Sequence, residues 1–195
     1  MHTIIEKPFY ELNIPNYNEI RLEVFNIINS YSSNFKTDVS YIIPQELFYK
    51  ALLLQLMLTE IQVKNKFNLR YLTVIVNPND QLHPHVDSTE HPWNFLLPIS
   101  NTENTRLSFY DCPEPPELVD RINERGEYVP YYAFNQSKCI ERYGIELTRP
   151  TFINAHQIHG VTNNISGKQR QTISIHICGD FHPTTDIPRR FLLDV

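Results

Sequence analysis

The chain is poor in cysteine. Cys112, Cys139 and Cys178 are the only three in 195 residues, and no two have CxxC spacing. A thiolate zinc site draws on such close pairs, so none is expected. An odd, scattered set reads as free thiols of the kind a reducing cytoplasm maintains. Long apolar runs are also missing. The leucine-rich stretch around Leu52–Leu58 is interrupted by Lys50, Gln55 and Glu60, far short of the ~20 apolar residues that cross a bilayer. Met1–Pro8 lacks the apolar core of a secretory leader, and a cytoplasmic protein is the expectation. Positive charge is in deficit: 17 Lys and Arg against 22 Asp and Glu leave a net charge of −5. That balance argues against non-specific nucleic-acid binding, which needs a basic surface. No internal repeat or low-complexity tract is visible.

What remains is a globular composition, 41% hydrophobic and 20% charged, long enough for one domain with a sizeable core. Residues 1–68 read as an extended arm followed by supporting helices. One helix starts at Asn18, with Ile20, Val24, Ile27, Ile28 and Tyr31 at helical spacing. A second runs from Pro44 to about Val63, its stripe of Leu47, Phe48, Ala51, Leu54, Leu58 and Ile61 widened by Leu52, Leu53, Leu56 and Met57. Residues 69–178 read as a β-core. Strands are expected at Leu69–Asn77, Trp93–Ile99 and Thr105–Tyr110, where β-branched and aromatic residues alternate with polar ones. A proline-broken insertion spans 111–149, and a tail follows from 179 to 195.

The most informative stretch is Thr151–Ile177. From Arg170 it alternates strictly, with Arg170, Thr172, Ser174 and His176 on one face and Gln171, Ile173, Ile175 and Ile177 on the other. That is a strand with one polar and one buried side. Ser166-Gly167 is a turn signal, so Val161–Asn164 and Gln169–Ile177 are expected to form a hairpin. In that register Asn163 opposes Arg170 and His159 opposes Ser174, and His159, Arg170 and Thr172 share a face.

His85-Val86-Asp87 complements His159. Residues i and i+2 of a strand point the same way, so an imidazole and a carboxylate can converge on one ion. Two His and one carboxylate leave open coordination positions, the donor set of non-haem Fe(II) oxygenases. His83 competes with His85, but only His85 has an Asp two residues on. Taken with Arg170 and Thr172, the pattern HxD, distant His, then RxT resembles the Fe(II)/2-oxoglutarate-dependent dioxygenases. Asn94–Ile99 and His159–Asn163 are similar to segments of their aspartyl/asparaginyl hydroxylase-like members. The likeness covers residues 69–178 and departs from that subgroup at Asn94, where an Arg is expected.

The resemblance implies a double-stranded β-helix of the jelly-roll or cupin type. It implies Fe(II) on His85, Asp87 and His159, with 2-oxoglutarate held through its far carboxylate by Arg170 and Thr172. O2 would be consumed, and ascorbate would serve as reductant. A present Asp87 favours hydroxylation over halogenation, since halogenating members replace that carboxylate. Asn94 is placed to reach the cosubstrate or substrate. Tyr110, and in the insertion Tyr128, Tyr131, Tyr132, Arg142 and Tyr143, are candidate substrate contacts, and His156 is a rim candidate. The expected substrate is a small molecule or an amino acid, free or in a peptide. A non-catalytic cupin-like metal- or ligand-binding module is the alternative. Oligomeric state is not legible.

Overall fold

The structure, a computed structural model, describes residues 7–32, 45–76, 81–87, 92–119, 131–163 and 168–193. The chain opens with β1 (Phe9–Glu11), then the helices α1 (Tyr17–Ser32), α2 (Gln45–Tyr49), α3 (Leu52–Glu60) and α4 (Val63–Lys66). The strands β2 (Asn68–Val76), β3 (Gln81–His85), β4 (Trp93–Ser100), β5 (Thr105–Asp111), β6 (Glu117–Val119), β7 (Tyr131–Ala133), β8 (Ile140–Glu146), β9 (Thr151–Asn154), β10 (His159–Asn163) and β11 (Arg170–Cys178) follow. A last short helix, α5 (Pro183–Asp186), precedes the terminus. The strands form two sheets, ordered β1-β9-β4-β11-β2 and β6-β7-β3-β10-β5-β8, and all their pairings are antiparallel. The mainly β, jelly-roll expectation is met.

Alternation decides what each face of the five-stranded sheet does. Phe95 and Leu97 of β4, Phe152 of β9 and Ile173, Ile175 and Ile177 of β11 pack under the helices against Val24, Ile28, Leu54 and Leu58. Asn94, Leu96, Arg170 and Thr172 point the other way, into the space between the sheets. The tail closes on the N-terminal arm: Leu12 bridges Leu192, and the Asn13 N–H donates to the Phe191 carbonyl at 2.9 Å.

Four expectations are corrected. β10 and β11 do not pair as a hairpin. β10 lies between β3 and β5, and β11 between β2 and β4, so the two strands belong to different sheets. His159 and Arg170 therefore project into the cavity from opposite sheets.

The long second helix is broken into α2, α3 and α4. Gln62 takes a left-handed φ of 65°, and the Glu23 carboxylate of α1 accepts from the N–H groups of Leu53 and Leu54 at 3.0 and 3.2 Å, capping a new helix start. With that break, Leu52, Leu53 and Leu56 turn outward to solvent instead of widening the buried stripe.

The insertion is partly sheet, since β8 pairs with β5 and β7 with β3. Finally, Cys112 and Cys139 form a disulfide in which Cys178 takes no part. They extend the Asp111–Ile140 pairing of β5 and β8 by one step, which brings their Cα atoms to 4.3 Å. Directly opposed residues of antiparallel strands lie at about that distance.

Candidate metal centre

β3 and β10 set His85 directly opposite His159, with ring centroids 4.5 Å apart. Gly160 permits this approach. A Cβ there would lie 2.8 Å from the Leu82 carbonyl oxygen and 3.2 Å from the Pro84 nitrogen, and backbone atoms cannot swing aside. Each ring is held by the carbonyl two residues before it. His85 Nδ1 donates to His83 O at 2.7 Å and His159 Nδ1 to Gln157 O at 2.9 Å. A carbonyl only accepts, so both protons sit on Nδ1 and both Nε2 atoms present lone pairs.

Asp87 follows β3, its N–H donating to the Ala155 carbonyl at 3.0 Å. Its Oδ1 lies 3.4 Å from His85 Nε2 and its Oδ2 4.0 Å from His159 Nε2. The three residues offer ligand atoms all within 4.8 Å of one another, a grouping able to hold a metal ion. Burial pushes the Asp87 carboxyl up, but the His85 and His159 imidazoles beside it outweigh that and hold the group well below the usual carboxylate range. Burial, with His85 beside it, lowers His159 to about 4. The pair is thus a carboxylate and a neutral imidazole at pH 7, as ligation requires.

Asn94 crosses from the other sheet. Its Nδ2 donates to Asp87 Oδ2 at 2.6 Å, so it steadies a candidate ligand, leaving Oδ1 for an ion. Neither a local backbone group nor the far end of the cavity is its partner.

Arg170 is the largest fully buried side chain of the chain's described residues, 1% exposed. Burial lowers it to about 10, still cationic at neutral pH, and no described carboxylate offsets that cost. Its Nε has no hydrogen-bond partner among the described residues, nor does the Thr172 Oγ1 on the same strand face. Both groups line a cavity of about 120 Å³ together with His85, Asp87 and His159. Leu96, Leu107, Ile153 and Val161, an apolar cluster between the sheets, wall it.

Other candidates stand apart. Tyr110 packs with Cys112, Phe134 and Ile158 in a satellite core and does not line the cavity. The Arg142 Nε donates to Asp111 Oδ2 at 2.6 Å on exposed β8, an ion pair between neighbouring strands. Tyr132, Tyr143 and His156 are exposed. The side chain of Tyr131 and the whole of Tyr128 lie outside the described residues. His83 contributes its carbonyl oxygen, not its ring. His176 and Ser174 line the cavity. Both were visible on the polar face of β11, but nothing in the pattern gave them a role.

The sequence matches no protein-family model and no curated protein. Solved structures do match. EvdO2 from Micromonospora carbonacea var. aurantiaca superposes with a TM-score of 0.55 at 8% identity, over 96% of this chain and 99% of that one. HygX from Streptomyces hygroscopicus, solved with nickel and 2-oxoglutarate bound, gives 0.50 at 13% identity, over 87% of this chain and 80% of that one. Among the described residues no helix is long and apolar enough to cross a membrane. The chain has the double-stranded β-helix fold of these two proteins.

Proposed function

We propose that the chain is an Fe(II)- and 2-oxoglutarate-dependent dioxygenase that hydroxylates an unactivated C–H of a small molecule or of an amino-acid or peptide side chain. One observation carries the reading: a buried guanidinium with no counter-charge among the described residues shares a small cavity with two imidazoles and a carboxylate. A buried cation is costly unless an anion meets it, and guanidinium matches a carboxylate in bidentate geometry. The donor set suits Fe(II), with positions left open. HygX, which shares the fold, was solved with nickel and 2-oxoglutarate bound.

On this reading His85, Asp87 and His159 hold the iron, and Arg170 and Thr172 bind the distal carboxylate of the keto acid. The aliphatic wall between them excludes water, and Asn94 keeps Asp87 in place. When bound, iron and the keto acid would activate O2 for the C–H bond, one oxygen atom passing to the substrate and the other to succinate as carbon dioxide leaves. The cavity of about 120 Å³ falls below the ~300 Å³ of drug-sized sites, so the keto acid occupies it and the substrate meets the metal from the mouth.

Incubation with Fe(II), 2-oxoglutarate, O2 and ascorbate tests the proposal. Succinate release dependent on all three of His85, Asp87 and His159 is expected. Binding without any release would favour the non-catalytic module.

A further inference from the structure

The geometry points to a substrate that carries a hydroxyl or N–H group beside the carbon it presents to the metal, received by Asn94 and His176. The inference rests on the oxygenase reading and deepens it by naming the substrate's chemistry. Asn94 and His176 are directly opposed on β4 and β11, and both side chains line the cavity. His176 belongs to the metal end, since Asn94 opposite it reaches Asp87 at 2.6 Å.

Asn94 is 1% exposed, and its amide has one workable orientation. Nδ2 donates to Asp87 at 2.6 Å, whereas the flipped amide would set oxygen against a carboxylate oxygen. Its Oδ1 is then buried with no partner among the described residues. An amide oxygen can only accept. The dianion of 2-oxoglutarate has two carboxylates and a ketone, all acceptors, so it cannot satisfy Oδ1. The missing partner is a donor, a role assigned here to the substrate. The His176 imidazole, directly opposed to it, lines the same cavity and makes this wall polar, which suits a hydroxyl or a secondary amide. A hydrocarbon presented there would leave the buried oxygen unmet, and sites built to hydrogen-bond a substrate group discriminate strongly against analogues lacking it.

Ligand-observed NMR on the full chain loaded with Co(II) and 2-oxoglutarate tests this, with Zn(II) as the diamagnetic control. The probes are two matched pairs: 2-pyrrolidinone with N-methyl-2-pyrrolidinone, and cyclohexanol with methoxycyclohexane. The expected result is Co(II)-dependent broadening about fivefold greater for the donor-bearing member of each pair, the size of one net hydrogen bond. In His176→Phe that ratio falls. Equal broadening within both pairs, which a metal-bound water satisfying Oδ1 would produce, overturns the inference, as does no broadening of any probe. A preceding titration of the Co(II) protein with 2-oxoglutarate separates the two levels. If the keto acid does not bind, the oxygenase reading falls and takes this one with it.

Discussion

His85 and His159 face each other across one antiparallel pairing, and each donates Nδ1–H to the carbonyl two residues upstream. The two rings are therefore oriented by the backbone before any ion arrives. Both lone pairs converge on the space beside Asp87. Preorganisation of this kind lowers the cost of binding.

Gly160 is what lets the two strands close. A Gly160→Ala chain must push β3 away from β10, because the added methyl meets the Leu82 carbonyl and Pro84 nitrogen. Overpacking against backbone costs about 1–3 kcal/mol. Co(II) titration should show at least a tenfold loss of affinity, since the displacement falls between the two imidazoles. Unchanged affinity would show that the rings do not depend on this approach.

Asn94→Ala removes a hydrogen bond by which the five-stranded sheet holds Asp87. Loss of such an outer partner costs about 10–100-fold in metal affinity. The fold should persist, so far-UV circular dichroism stays constant while Co(II) binding weakens. Equal binding by the variant would mean that the loop bond to Ala155 suffices.

The Cys112–Cys139 bridge closes a loop of 27 residues in sequence separation. Chain entropy assigns such a crosslink about 3 kcal/mol. Reduction, or the double change Cys112→Ser with Cys139→Ser, should lower the melting temperature by roughly 6–12 °C for a domain of this size. Calorimetry with and without reductant reads this directly, and coincident transitions would contradict the pairing.

Acid should weaken the metal-free protein in a defined window. His159 titrates near 4 in the fold against an ordinary value of 6.5. Between those values the unfolded chain holds a proton that the folded one lacks, so stability is full above about pH 6.5 and declines as pH falls toward 4. The loss is about 3 kcal/mol at most. Asp87, held low in the fold, adds a further loss below the ordinary carboxylate range. Urea midpoints measured from pH 7 to 4 should fall for the wild type and fall less for His159→Phe. A flat wild-type profile would contradict the burial of that ring.

The candidate metal ligands and the arginine were legible because they rest on local rules. His85 and Asp87 stand two residues apart at a strand end, and Arg170 sits on the polar side of an alternating strand. Pairing partners were not legible. The Arg170–Ile177 alternation fixes which side chains share a face, but any neighbour satisfies it, so a hairpin with β10 and a crossing to the other sheet look the same from sequence. Turn signals at Ser166-Gly167 favoured the wrong one.

Long-range contacts hid the rest. The start of α3 depends on Glu23, thirty residues upstream of Leu53, and no local cap announces it. Cys112 and Cys139 meet only because β5 and β8 pair. Asn94 could be placed near the site, but its bond to Asp87 needed both sheets in hand. Tyr110 and Arg142 were chosen for residue type, and packing and an ion pair claim them instead.

The central claim is that Arg170 awaits the distal carboxylate of a keto acid. Calorimetric titration of 2-oxoglutarate into the Co(II)-loaded wild type and Arg170→Ala tests it most directly. The wild type should bind and the variant should lose at least about thirtyfold in affinity, as expected for truncating one side of a buried charge pair. Undiminished affinity in Arg170→Ala would contradict the account.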